Sequence, residues 1–219
     1  MVKKMLLIGI ISVGLLNTIK TYSQNNLKNE IMNLKTVTIV KSKAPWYAFD
    51  FLLPKKFREV NPIYEKVNGL EFKAYSINRN TEGKNFGGIY LWEDEAKAKK
   101  WFTPQWFEDV KKKRGVTPTV EYFGVKSEFS SLPITTNYTN FNTKSIAVFI
   151  RGLTQNQATN LYAQQTTFFR AYWLLETSEQ NGLILFFESK IKAKSFIKSN
   201  KINNFDWFKI PVMLNNANK

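Results

Sequence analysis

The chain is predicted to be an α+β protein in which two β-α-β-β-α-β repeats pack sheet to sheet and close as a barrel. Three observations predict it. Apolar spacing alternates along the chain between a period of two and a period of three to four, in that order, twice over. The two halves align residue against residue. The third strand of each half is apolar on both faces: Ile89 and Leu91 alternate with Tyr90 and Trp92, and Ile184 and Phe186 with Leu185 and Phe187. A sheet with helices on one face normally shows the other to water. Each large side chain left wet there forgoes roughly 1.5–3 kcal/mol. The sheet of the other half is the nearest cover. The expected state is a monomer with an intramolecular pseudo-twofold, or a homodimer using the same faces.

The elements follow in order. Residues 36–40 (TVTIV) are β-branched and read as the first strand. Residues 44–51 (APWYAFDF) are an aromatic loop. Pro54 suits a helix first turn, and Phe57, Val60, Tyr64 and Val67 form one apolar helix face that Pro62 should kink or split. Gly69 fits the left-handed cap that ends it. Residues 70–77 are the second strand, 79–85 a polar hairpin loop, and 87–92 the third strand. Asp94 caps a helix whose apolar side holds Ala96, Ala98, Trp101 and Phe102. Pro104 interrupts it, residues 105–113 continue as a short helix, and Gly115 stops that one. Residues 119–125 are the fourth strand.

The order then repeats. Residues 145–150 read as a strand, and Thr154 with Gln157 is a capping box opening a helix. Residues 167–175 and 183–187 are hairpin strands. Ser189 caps a helix with Ile191, Phe196 and Ile197 on its apolar side, and residues 205–213 are the last strand. Phe72, Lys73, Ala74 and Tyr75 align with Phe169, Arg170, Ala171 and Tyr172. Gly87, Ile89, Glu93, Lys97 and Ala98 align with Gly182, Ile184, Glu188, Lys192 and Ala193. So many matches in order argue internal duplication.

The expected organisation is a signal peptide at 1–24, a mobile lead-in at 25–35, the first repeat at 36–126, a Ser/Thr/Asn-rich linker at 127–143, the second repeat at 144–214 and a tail at 215–219. Lys3 and Lys4 precede an apolar run at residues 5–16 that is short for a membrane span, and Thr21 and Ser23 are small residues ahead of a cut before Gln24. Export to the periplasm or the extracellular space is expected, without stable membrane insertion after cleavage.

Composition narrows the chemistry. The chain has 219 residues, 43% hydrophobic and 15% aromatic, which is enough for a substantial core. It has no cysteine and no histidine. Disulfides, a zinc site of the usual kind, a thiolate nucleophile, a Ser-His-Asp triad and a histidine-ligated haem are therefore excluded. The net charge is +15, of which Lys3, Lys4 and Lys20 of the signal segment supply three. Most of this excess reads as solvated lysine on helix faces. Glu93, Asp94 and Glu95 fall at a helix start, where capping and the helix dipole explain them; no metal site is expected.

The candidate ligand-binding residues are Tyr75 and Tyr172 beside the cations Lys73 and Arg170, together with Tyr90, Trp92 and Trp46. Hydroxyl donors beside a cation suit an anionic phenol or quinol. Tyr90 and Trp92 also read as core aromatics, whereas loop aromatics such as Trp46 are less readily explained by packing. RNA-recognition domains share the strand and helix order. Here Gly88 and Leu91 fall where their stacking aromatics belong, and TVTIV carries none, so no nucleic-acid partner is expected.

The segments GLEFKAYSIN, FGGIYLWEDEAKAKKWF and KKRGVTPTVEYFGV resemble the dimeric α+β-barrel superfamily, closest to its small YdhR-like mono-oxygenase branch. The resemblance covers roughly residues 36–126, and the second half joins through its similarity to the first. It implies two ferredoxin-like units paired as a barrel. It also implies cofactor-independent oxidation of a small aromatic or quinol-type molecule, or simple ligand binding. The superfamily's haem-degrading branch depends on a histidine that this chain lacks. No cofactor is expected. The competing expectation is a non-enzymatic module of the cell envelope that binds a small molecule or a protein.

Overall fold

A computed structural model describes residues 34–45, 48–80, 83–131 and 144–216. The expected signal segment, most of the lead-in, most of the linker and the last residues of the tail lie outside these. The barrel belongs to the compact unit Lys35–Lys219.

Eight antiparallel strands form a closed barrel in the order β1-β3-β2-β8-β5-β7-β6-β4. They are β1 (Thr36–Lys43), β2 (Leu70–Asn80), β3 (Gly83–Trp92), β4 (Thr119–Ser130), β5 (Ser145–Leu153), β6 (Arg170–Leu175), β7 (Asn181–Phe187) and β8 (Phe205–Asn215). The first half runs β4-β1-β3-β2 and the second β8-β5-β7-β6, the same order twice. The barrel closes where each half's second strand meets the other half's fourth, β2 with β8 and β6 with β4. The sheets do face one another, and within one chain.

The third strands behave as their two apolar faces require. Ile89, Leu91, Ile184 and Phe186 point into the barrel with Phe72 and Phe149. Tyr90 and Trp92 pack outward beneath helices of the first half, and Leu185 and Phe187 beneath those of the second. All eight of these third-strand side chains are at most 3% exposed.

Several strands run past their expected ends. β2 and β3 pair through Arg79–Lys84 and Asn80–Gly83, where a polar loop is predicted. β4 continues into the expected linker because residues 127–130 pair with β6, and β8 reaches Asn215 because it pairs with β2. These extensions are the closing seams. Backbone pairing across a seam is satisfied by any side chain, so Ser/Thr/Asn-rich composition hides it.

Among the described residues the helices are α1 (Leu53–Glu59), α2 (Asn61–Tyr64), α3 (Glu95–Trp101), α4 (Pro104–Arg114), α5 (Gln155–Tyr162) and α6 (Lys190–Ser199). The predicted break falls between α1 and α2, with Pro62 in the first turn of the second piece. Asp94 accepts the Lys97 N–H at 2.7 Å, and Thr103 accepts that of Trp106 at 3.2 Å. Gly115 ends α4 at φ 78°, and Thr154 and Gln157 complete the capping box. Two expectations fail: Ala96, predicted on the apolar side of α3, is exposed, and Ile191, predicted on that of α6, is 81% exposed. With 3.6 residues per turn, Ile191 falls nearly opposite Ala193 and Phe196, which do pack inward, and Ala96 nearly opposite the buried Ala98.

Gly87 is a close-approach glycine. A Cβ there would lie 1.9 Å from the carbonyl oxygen of Val40 on the neighbouring strand, while at Gly182 the nearest atoms are side-chain ends of Phe149 and Glu176. Backbone cannot swing aside as a side chain can. Gly87→Ala is expected to cost roughly 3 kcal/mol, as overpacking of a tight contact does, and Gly182→Ala distinctly less. Urea unfolding of both variants checks the order.

Candidate functional site

Strand alternation decides what β1, β2 and β3 offer to the helices of the first half. Phe72 and Ala74 point into the barrel, so Lys73, Tyr75 and Ile77 point out. Val40, Tyr90 and Trp92 share that outer face. α1 and α2 lie over it, bringing Phe57 against Tyr75 with stacked rings 4.8 Å apart, and Tyr64 edge-on to Tyr75 at 6.0 Å. α3 and α4 add Trp101 and Trp106 from the other side. Between helices and sheet remains a cleft of about 710 Å³ with mainly apolar walls. Leu52, Lys56, Ile63 and Arg114 stand at its exposed margin.

Lys73 lies in its wall and is 1% exposed. Its Nζ donates to the Tyr90 hydroxyl at 3.0 Å. It also sits over three rings, 2.9 Å from the Tyr64 centroid, 4.2 Å from Tyr75 and 4.4 Å from Tyr90. The Tyr64 and Tyr90 rings lie with centroids 6.1 Å apart. No carboxylate pairs with the amine among the described residues. Ring faces favour an ammonium by about 0.5–2 kcal/mol each, and burying one costs several kcal/mol. Burial wins and holds the Lys73 amine well below the usual lysine value. Burial, with neighbouring Tyr64, pushes the hydroxyl of Tyr90 well above the usual tyrosine value. Burial first, then Tyr64 and Glu65, raises that of Tyr75. The phenols keep their protons, and the amine has no anion to hold it charged.

Three polar atoms of the cleft lining are buried without a hydrogen-bond partner: Ser42 Oγ, the Tyr75 hydroxyl and Trp101 Nε1. Each such group costs about 1–3 kcal/mol unless something satisfies it. A ligand carrying hydroxyl or carbonyl oxygens would meet that need.

Three of the sequence-predicted residues therefore come together: Lys73, Tyr75 and Tyr90. Trp92 stands behind Tyr90 in the core, its Nε1 donating to Thr38 Oγ1 at 3.0 Å. Trp46 lies outside the described residues. Arg170 and Tyr172 are elsewhere, with Tyr172 in the barrel interior. Arg170 donates to the Tyr172 hydroxyl at 2.7 Å and covers the Phe72 ring at 4.1 Å. Burial pushes the Tyr172 hydroxyl up to about 12, with Arg170 opposing.

The predicted equivalence of the two tyrosines is corrected here. Ile89 faces Ala74, whereas its counterpart Ile184 faces Tyr172. The hairpin of the second half is thus one residue out of the assumed register, and a one-residue slip turns every side chain to the other face. Across the ladders, Lys73 corresponds to Ala171, Tyr75 to Trp173 and Tyr90 to Leu185. Those three are packed in an apolar cluster with Leu161, Phe168 and Phe196. The lysine and its tyrosines belong to the first half alone.

Sequence reasoning missed Tyr64, Ser42 and Trp101. Tyr64 and Trp101 fall on apolar helix faces and read as core, and Ser42 lies beyond the expected end of β1. A tyrosine at Tyr64's place in an otherwise aliphatic and Phe face was the one available signal.

No family model matches the chain, and no curated protein matches it in sequence. Solved structures do match in shape. One, from Fusobacterium nucleatum subsp. nucleatum, is described as a "putative monooxygenase"; it aligns over 83% of this chain and 94% of its own with a TM-score of 0.56 and 10% identity. Another "putative monooxygenase", from Lactobacillus acidophilus NCFM, aligns over 84% and 97% with a TM-score of 0.50 and 7% identity. The chain shares the mixed α+β fold of these two structures.

Proposed function

We propose that the first-half cleft binds a small phenol or quinol-type molecule and oxidises it with dioxygen, without a cofactor. The observation that carries this reading is the buried, carboxylate-free amine of Lys73 among three tyrosines in a cleft with unmet hydrogen-bond donors. The description of two structures of like fold as putative monooxygenases supports the oxygen chemistry. Trp101 Nε1 and the Tyr75 hydroxyl hold the substrate oxygens, and the walls exclude water. The Lys73 amine takes the phenolic proton. The resulting phenolate is electron-rich enough to reduce dioxygen. With a phenol, one oxygen atom joins the unsubstituted ring carbon opposite the hydroxyl, the other leaves as water with the two displaced hydrogens, and the phenol becomes a quinone; a hydroquinone instead gives two electrons and two protons to dioxygen, leaving quinone and hydrogen peroxide. The second reading is a ligand-binding module that uses the same cleft without turnover. We place either activity outside the cytoplasm, on the strength of residues 1–24.

An oxygen electrode tests it with a panel of phenols and hydroquinones, with quinone followed by absorbance. Turnover is expected, and Lys73→Met is expected to lower it roughly 10²–10⁴-fold, the usual worth of a positioned base. Binding seen by Trp fluorescence without oxygen uptake would favour the binding module. Neither binding nor uptake across the panel would remove the cleft as the site.

A further inference from the structure

We propose that Lys73 is also a carbonyl-capturing lysine: its amine forms a reversible imine with small aromatic aldehydes or ketones that enter the first-half cleft. This rests on the cleft being a ligand site but not on any oxygen chemistry.

The geometry supplies what imine formation needs. The nucleophile is an amine lone pair, which a salt-bridged lysine does not have free. Surface lysines of this protein commonly hold a carboxylate: Lys97 pairs with Glu93, Lys99 with Glu95 at 2.5 Å, and Lys192 with Glu188 at 2.5 Å. Lys73 pairs instead with a phenol. Its Nζ is fixed in the cleft wall by β2, with the rings of Tyr64 and Tyr75 on its flanks. The Tyr75 hydroxyl and Ser42 Oγ, both without partners, line the same cleft as donors for the carbonyl oxygen. The Tyr90 hydroxyl, 3.0 Å from Nζ, is the proton relay.

The step balances without an oxidant or reductant. The nitrogen lone pair attacks the carbonyl carbon, a C–N bond forms and the C=O π pair moves to oxygen. The attacking nitrogen loses a proton through Tyr90 and the oxygen gains one, which gives a carbinolamine. A second proton moves from nitrogen to that hydroxyl, water leaves, and the C=N bond closes. Aldehyde and amine become imine and water. The apolar walls keep the released water from returning readily, which favours the imine. The titratable groups about the amine are Tyr64, Tyr75 and Tyr90, and Glu65 acts on Tyr75. Lys56, Glu59, Lys113 and Arg114 line the cleft and are exposed.

The test is reductive trapping of the full chain. The protein is mixed with 4-hydroxybenzaldehyde and sodium cyanoborohydride from pH 6 to 9, and the modified lysines are mapped by peptide mass spectrometry. Lys73 is expected to be labelled at pH 7 roughly tenfold or more faster than any surface lysine, since each unit by which an amine's pKa falls gives ten times more free base. Its labelling is expected to climb less steeply with pH than that of the surface lysines. Tyr90→Phe is expected to slow labelling of Lys73 without changing that of the surface. The wild-type surface lysines are the internal control, so the result does not hang on a variant that folds. Surface labelling with Lys73 untouched overturns the proposal. If Trp fluorescence then still reports aldehyde binding, the cleft reading stands and only the imine fails; if fluorescence is silent too, both fall.

Discussion

Replacing Lys73 with methionine is expected to make the protein more stable, by about 1–4 kcal/mol near neutral pH, the range seen when buried ionisable groups give way to well-packed apolar ones. The lysine is 1% exposed and has no carboxylate to repay its desolvation. Methionine keeps the unbranched stem and sets sulfur against the rings of Tyr64, Tyr75 and Tyr90. The Tyr90 hydroxyl loses its bond from the amine, which offsets part of the gain. The gain should vary with pH in one direction. In the folded chain the amine's pKa is lowered. Between that value and about 10.4, where a free lysine titrates, the unfolded chain holds a proton that the folded one has lost. Wild-type stability therefore rises with pH across this window. Below the folded pKa both states are protonated and the penalty is constant and at its largest; above the unfolded pKa it has gone. Lys73→Met lacks the penalty throughout, so its advantage is largest on the acid side and shrinks toward pH 10. Lys73→Arg goes the other way. Its guanidinium cannot shed its proton, and an uncompensated buried charge costs about 3–5 kcal/mol. Urea denaturation of the three proteins at pH 6, 8 and 10 measures this. Equal wild-type and Met stabilities at every pH would mean that the amine is solvated in solution, and the proposed base would go with it.

A residue that weakens the fold while lining a cleft is what a functional lysine looks like energetically. Its type and its neighbours Tyr75 and Tyr90 were legible because the strands alternate: positions two apart on β2 share a face, and so do Lys73 and Tyr75. The architecture was legible for the same reason, since no single sheet could dry both Tyr90 and Leu91. Two things were hidden. The hairpin register of the second half depends on how many residues its loop spends. An alignment matching Phe72 to Phe169 looks as good as the true pairing, yet it puts Tyr172 on the wrong face. The closing seams were hidden because they are backbone ladders through residues such as Ser127 and Ser130, whose side chains carry no strand signal. Tyr64 was hidden in plain view: a helix face of Phe57, Val60 and Tyr64 is amphipathic whether the tyrosine caps a core or a cleft.

Phe72→Ala and Phe186→Ala are each expected to cost about 3–5 kcal/mol, as large aromatic truncations in a core do, and to be coupled to one another. Phe72 comes from β2 of the first half and Phe186 from β7 of the second, and their rings meet edge to face at 5.8 Å inside the barrel. Phe186 also touches Phe169 and Tyr172, while Phe72 carries the Arg170 guanidinium on its face. Either truncation opens a void that neither half can collapse alone, because the strands on both sides are held in one continuous ladder. A double-mutant cycle should return about 0.5–1.5 kcal/mol for the ring pair. It should do so within a single unfolding transition for the wild type and both single variants. Independent halves would behave otherwise: two transitions, only one of them shifted by each substitution, and a coupling of zero. That outcome would remove the reason for both faces of β3 and β7 to be apolar, and with it the account of why this chain closes into a barrel at all.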